Sequence, residues 1–222
     1  LRRRQFDCFI SLKSISSIRG RWLLWFLCKV VGAPTSIGRN TNGKGRFFDQ
    51  CVDEKDIESR HELEIYRLIG YALGVEVGPE FPQLQVDEHE ARWAAEFLHR
   101  HETRSRQPLV GLNPGAFRPT HRWPVQRFAD VALRLQDEFM CEFLITGGTG
   151  DRALADYLVH SGLKNVYNSC GLASVPQTIA LLRNVDLLLT NDTGTMHLGT
   201  ALNRPTKAIF GAGQLNRFRP AL

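Results

Sequence analysis

The chain has 222 residues, 43% of them hydrophobic and 23% charged, with a net charge of +5. That length can bury one large core or two smaller ones, and the composition is that of a soluble globular protein rather than a disordered or fibrous one. Cys8, Cys28, Cys51, Cys141 and Cys170 are far apart and odd in number. They form no C-x-x-C pair, which argues against zinc and dithiol motifs and a disulfide framework, and fits a reducing cytoplasm.

The charge is uneven. Residues 1–46 hold ten Lys or Arg and one Asp, a net of +9, while the remainder carries a net of −4. Such a basic stretch suits nucleic acid, an anionic membrane surface or a phosphorylated substrate, or is simply a solvated basic face. The chain starts at Leu1, not Met, and stops at Leu222 soon after a strand-like run. It therefore reads as a fragment at both ends, with no signal-peptide pattern.

Arg2, Arg3 and Arg4 precede a short apolar strand, Phe6 to Leu12. Ile18 to Val31 is helical and rich in Trp, Leu and Phe. It falls short of the ~20 apolar residues of a membrane span and is interrupted by Lys29, so it reads as a buried core helix or, with Arg19, Arg21 and its tryptophans, as an interfacial one. Gly38 to Lys44 matches the opening of a Walker A loop, but Gly45 stands where the Mg²⁺-binding hydroxyl belongs and an extended segment follows. It is read as a flexible basic loop. A helix is expected from Arg60 to Leu73, an aperiodic Gly- and Pro-bearing linker from Gly74 to Gln85, and an Asp87-capped helix to His101.

From Pro108 onward, strands and helices alternate. Strands are expected at Leu109–Asn113, Glu142–Thr146, Asn165–Asn168, Val185–Thr190 and Thr206–Phe210. Between them run a helix with Pro124 at its first position, a helix from Arg152 capped by Asp151, a helix capped by Ser174, and a helix after Gly194. This rhythm makes a parallel sheet with helices on both faces, whose ligands bind at the carboxyl ends of the strands.

Three polar, glycine-bearing loops follow strands and should share that edge: Asn113 to Trp123, Gly147 to Asp151, and Asn191 to His197. The first brings Arg118, His121 and Arg122, cations suited to a diphosphate. The second brings Asp151, which can accept from ribose hydroxyls or simply cap its helix. In the third, Asp192, Thr193, Gly194 and Thr195 lead into a helix whose first N–H groups and dipole favour a phosphate, with His197 one turn in. A nucleotide or nucleotide-sugar is the natural ligand. The His-Glu pairs at 61, 89 and 101 complete no H-E-x-x-H, and neither a G-x-S-x-G elbow nor a G-x-G-x-x-G fingerprint occurs after a strand.

Leu112-Asn113-Pro114-Gly115, His121-Arg122-Trp123-Pro124 with Arg127-Phe128-Ala129, Thr146-Gly147-Gly148, Cys170-Gly171-Leu172, Asn191 through Leu198, and Pro205 with Ile209-Phe210-Gly211 resemble the C-terminal half of glycosyltransferase family 9. Phe6 to Leu12 resembles the later part of that family's N-terminal domain more loosely. The resemblance implies a GT-B type α/β fold of two Rossmann-like domains with the active site between them. It implies a partial acceptor-side domain at 1–80, a linker and helix at 81–107, and a nearly complete donor domain with a parallel sheet at 108–222, incomplete at its end.

It further implies an inverting, metal-independent and cofactor-free transfer of a sugar, often heptose from ADP-heptose, to a lipid-linked saccharide of the lipopolysaccharide core. Asp192, Thr193, Gly194 and His197 would line the diphosphate and sugar, Asp151 the ribose and Leu172 the base. The family's usual Lys is replaced by His121, with Arg122 beside it. The catalytic base belongs to a first strand and glycine-rich loop expected upstream of Leu1. The basic stretch would meet a phosphorylated lipid acceptor or the anionic inner leaflet, which places the protein in the cytoplasm or peripherally on the inner membrane. A non-catalytic nucleotide-sugar-binding remnant is the alternative. A nucleic-acid partner lacks any reader motif.

Overall fold

In the computed structural model, which describes residues 5–54, 60–78, 82–100, 107–211 and 215–220, the chain divides into two compact units. One comprises Leu1–Glu80 and Gln214–Arg219, the other Phe81–Gly213 and Pro220–Leu222. The Arg2 to Arg4 run, residues 79–81 of the expected linker, His101 with Glu102, and residues 221 and 222 lie outside the described residues.

The larger unit opens with α3 (Glu88–Arg100), which follows α1 (Ile18–Val31) and α2 (Glu62–Ala72) of the smaller unit, and continues with β4 (Leu109–Asn113), α4 (Val125–Phe139), β5 (Glu142–Ile145) and α5 (Arg152–Val159). It ends with β6 (Val166–Asn168), α6 (Val175–Leu182), β7 (Leu187–Asn191), α7 (Gly194–Ala201) and β8 (Thr206–Ile209). The strands form one parallel sheet in the order β6-β5-β4-β7-β8. Side chains alternate across it because strand periodicity is two. Val110, Leu112, Phe143, Ile145 and Leu189 pack one face with Phe128 and Ala132 of α4 and Ala155 and Leu158 of α5. Leu109, Leu144 and Leu188 pack the other with Phe97 of α3 and Leu181 of α6. Burial on both faces explains why these strands read as unbroken apolar runs.

The order reverses between β4 and β7, which puts the switch point of this doubly wound sheet at the loops after those two strands. Two cap expectations divide here. Ser174 Oγ accepts from Gln177 N at 3.3 Å while Gln177 Oε1 accepts from Ser174 N at 2.9 Å, a reciprocal capping box. Asp151 makes no side-chain cap bond to α5. It closes the preceding 3₁₀ turn (Thr149–Asp151) instead, accepting from Gly148 N at 3.1 Å.

The smaller unit holds a parallel three-stranded sheet of β1 (Cys8–Ser11), β2 (Thr35–Asn40) and β3 (Gln50–Asp53). Helix α2 (Glu62–Ala72) closes a small core through Ile65 and Ile69 against Ile37 and Val52. The Walker-like segment is not a loop through its length. Gly38, Arg39 and Asn40 lie in β2, and only then does a 3₁₀ turn (Thr41–Gly43) follow. Arg39 is 1% exposed and bonds to both Glu54 and Glu62, so its charge is neutralised inside the fold. Local pattern gave no sign of those distant carboxylates.

Helix α1 (Ile18–Val31) has the expected bounds, an N-cap at Ser17 and a left-handed C-cap at Gly32. It is not a core helix, for none of its residues is buried. Ile18, Trp22, Leu23 and Phe26 are each more than half exposed. Among the described residues no helix is long and apolar enough to cross a membrane. A further short helix, α8 (Leu215–Phe218), was not anticipated. It joins the smaller unit through Arg217, whose Nε donates to Glu62 Oε2 at 2.7 Å.

Candidate functional site

The carboxyl ends of β4, β5 and β7 finish in polar residues buried among their own bonds. Asn113 is 3% exposed, donating to Thr190 Oγ1 at 3.2 Å and accepting from Thr146 Oγ1 at 3.5 Å. Asn191 is fully buried and ties two loops together. Its Oδ1 accepts from Trp123 N at 3.0 Å, and its Nδ2 donates to Pro114 O at 2.8 Å. Buried amides with every group bonded hold a backbone firmly. Asn113 and Asn191 therefore fix the scaffold on which more exposed groups stand.

A cavity of about 390 Å³ opens at this edge, within the range of small-molecule sites. Its wall takes Asn113, Gly115, Ala116, Phe117 and Arg122 from the first loop, Gly147, Gly148 and Asp151 from the second, and Thr193 and Thr195 from the third. The prediction that the three loops share an edge is thus met. Of the remaining expected ligands, Arg118, His121, Leu172, Asp192, Gly194 and His197 are not among the lining residues. Arg118 and His197 are exposed in their loop and helix, and Leu172 is 65% exposed.

His121 and Asp192 meet each other: Nδ1 lies 3.0 Å from Oδ2, with the side chains 20% and 11% exposed. Asp192 thus turns to the first loop rather than capping α7. Thr193 is the N-cap residue of α7 and makes no side-chain cap bond. A Cβ placed on Gly194 would meet nothing within 4 Å, so the start of α7 faces open space. Its leading N–H groups are available to an anion.

Asp151 is enclosed by glycine. A Cβ on Gly115 would lie 2.5 Å from its Cγ, and one on Gly147 would lie 3.1 Å from its Cβ. Arg122 spans the gap, its Nε donating to Ala116 O at 2.9 Å and its Nη2 lying 3.5 Å from Asp151 Oδ1. Beneath, Cys170 is buried and donates to Gly148 O at 3.2 Å. Burial, then the nearby Asp151 charge, push its thiol up to about 11, which keeps it protonated rather than a nucleophile.

Ala173, Val175 and Thr178 from the start of α6, and Leu198 of α7, also line the cavity. Sequence reasoning did not place them in the site, since they carry no distinctive chemistry and reach it only because α6 and α7 pack together. The glycines at 115 and 147 had a signal, each lying directly after a strand in a polar loop. Among the described residues no group of three or more His, Cys, Asp or Glu is placed to hold a metal ion.

The strand order, with polar loops gathered at the carboxyl edge, defines the larger unit as a doubly wound α/β domain of Rossmann type. The model of glycosyltransferase family 9 (heptosyltransferase) matches residues 1–221, and the chain belongs to that family. It is 32% identical over 135 residues to lipopolysaccharide heptosyltransferase 2 of Escherichia coli, covering 59% of this chain and 38% of that protein. To lipooligosaccharide heptosyltransferase 2 of Haemophilus ducreyi it is 30% identical over 222 residues, covering 93% of this chain and 60% of the relative. The chain therefore spans well under two thirds of these relatives. It also shares its fold with the E. coli ADP-heptose lps heptosyltransferase II structure, at TM-score 0.73 and 23% identity, over 97% of this chain and 66% of that one. The GT-B type α/β fold with parallel sheets is common to both.

Proposed function

We propose that this chain carries the donor half of an inverting glycosyltransferase that moves heptose from ADP-heptose to a lipopolysaccharide core acceptor. The observation that carries the reading is the convergence of the loops after β4, β5 and β7 on one cavity of about 390 Å³. Membership of family 9, and the donor named for the E. coli structure, supply the sugar-nucleotide class.

In this reading the diphosphate lies against the start of α7, at Thr193, Gly194 and Thr195, with His121, Arg122 and Arg118 as neighbouring cations. Asp151 accepts from the ribose hydroxyls, Leu172 lies near the base, and Asp192 and His197 border the diphosphate and sugar. Asn113 holds the strand ends. The acceptor oxygen attacks the anomeric carbon as the bond to the diphosphate oxygen breaks, and the configuration inverts. Preorganised N–H groups and cations stabilise the departing charge. The acceptor hydroxyl gives up its proton to a general base outside these residues, and the transfer uses no metal or cofactor.

The basic smaller unit is the acceptor side. The exposed Trp22 and Phe26 of α1, with Arg19, Arg21 and Lys29 on the same helix, fit an anionic lipid surface and a peripheral place at the inner membrane.

Calorimetric titration with ADP-heptose, followed by a transfer assay with core acceptor, tests the proposal. Saturable donor binding, turnover, and severe loss of turnover in Asp192→Ala with an unchanged fold are expected. Donor binding without transfer or donor hydrolysis would instead make the chain a non-catalytic nucleotide-sugar-binding protein. Full turnover in Asp192→Ala would remove the site.

A further inference from the structure

In the site as read above, one group stands in an awkward place. Asp192 lies just before the N-cap of α7, beside the ground given to the donor diphosphate. A carboxylate there repels the ligand by Coulomb's law, and more strongly where water is partly excluded. Asp192 is only 11% exposed, and its side chain meets the His121 ring, with Nδ1 at 3.0 Å.

An ionised carboxylate only accepts, so Nδ1 of His121 carries the hydrogen in this contact. Two charge states of the pair remain. With a neutral ring, the pair keeps a full negative charge and Nε2 offers a lone pair, which a phosphate oxygen also refuses. With a protonated ring, the pair is neutral and Nε2–H becomes a donor. Which state the pair holds therefore depends on what Nε2 faces.

The surroundings keep the pair together. Asn191 ties Trp123 N and Pro114 O across the same two loops. Gly211, after β8, packs against the backbone of Thr120, where an added Cβ would come within 2.8 Å of its carbonyl oxygen. The charged contact of the ring is Asp192 from the end of β7; Arg118 and Arg122 belong to its own loop, and His197 to the first turn of α7. Arg122 is engaged with Ala116 O and Asp151, and Arg118 is exposed. Ile209, Phe210 and Gly211 at the β8 end carry no ionisable side chain.

We propose that donor binding takes up one proton, held on the imidazole of His121 between Asp192 and the donor diphosphate. The inference rests on the donor reading of the site. It assigns His121 a role that a permanently charged side chain would not have. Donor affinity falls as pH rises, because the diphosphate then meets an unneutralised Asp192.

ADP-heptose is the probe, since both its phosphates are esterified and keep a fixed charge near neutral pH. Titrations run from about pH 6 to about pH 8.5, in buffers of different ionisation enthalpy, so that heat differences report protons taken up. Wild type is expected to lose affinity with rising pH, by up to about tenfold per unit, and to absorb up to one proton per donor on the alkaline side. His121→Lys should bind with a flat pH profile and no uptake. His121→Gln should bind weakly and equally flatly, and circular dichroism checks that both fold. Binding by wild type with no slope and no uptake overturns the proposal while leaving the donor reading intact. So does a wild-type slope kept in His121→Lys, or one abolished only by His197→Gln. Absence of donor binding at every pH removes the donor reading and the proposal with it.

Discussion

Asn191 grips Trp123 across 68 residues of sequence, its Oδ1 accepting from the Trp123 backbone N–H at 3.0 Å. The same amide donates to Pro114 O at 2.8 Å, so one buried side chain fixes both ends of the loop that carries Arg118, His121 and Arg122. Replacing it with Ala leaves a backbone donor and a carbonyl without this partner. Asn191→Ala should lose about 1–3 kcal/mol of stability, the usual penalty for stranding buried polar groups. Denaturant unfolding measures this, and donor titration should show weakened binding at temperatures where the variant remains folded.

Two glycines at the site should separate stability from affinity. A methyl at Gly115 would press on Asp151 Cγ at 2.5 Å, so Gly115→Ala should lose about 1–3 kcal/mol by overpacking and displace Asp151. A methyl at Gly194 meets nothing within 4 Å, so Gly194→Ala should fold as well as wild type. It occupies the space assigned to the diphosphate, however, and donor affinity should fall. Melting curves set beside donor titrations check the contrast. Equal donor affinity in Gly194→Ala and wild type would place the diphosphate elsewhere.

In the smaller unit, Arg39 is the only charge partner of Glu54 among the described residues, and the Glu54 side chain is fully buried. Arg39→Met strands that carboxylate and should destabilise this unit by about 3–5 kcal/mol. Adding Glu54→Gln should recover part of the loss, which equilibrium unfolding of the single and double variants will show.

Acid should weaken the same cluster. Burial raises the Glu62 carboxyl, but hydrogen bonds and charges from Arg39 and Arg217 outweigh it and hold the group below the usual glutamate range. A folded-state value below the unfolded one means the contribution is complete above the ordinary glutamate range. It is lost as pH falls toward the lowered value. Glu62→Gln should therefore be less stable than wild type at neutral pH, with the gap closing in acid. A gap independent of pH would contradict this assignment.

Much of the larger unit was legible before its structure. Its strands are apolar on both faces, Asp87 and Ser174 cap their helices, and parallel topology forces the ends of its strands to one edge. The pairing of His121 with Asp192 was not legible. Each residue was marked as a donor ligand, yet nothing in either loop says that the two side chains meet. Asp151 was read as a ribose ligand or a helix cap, and its actual bonds run to Gly148 and toward Arg122. In the smaller unit the local reading failed at Arg39, because a glycine-rich basic run looks solvated until distant carboxylates are brought to it.

The sequence by itself determined the parallel α/β rhythm, the three polar loops and the family. All of these rest on short-range periodicity, capping chemistry and motif order, which local residues encode. Tertiary structure alone decided that α1 turns Trp22 and Phe26 outward, that Arg39 is neutralised inside, and which side chains of the three polar loops face one another. Those outcomes depend on contacts between residues far apart in the chain. Burial and charge pairing become defined only when the packed sheet fixes which loops are neighbours.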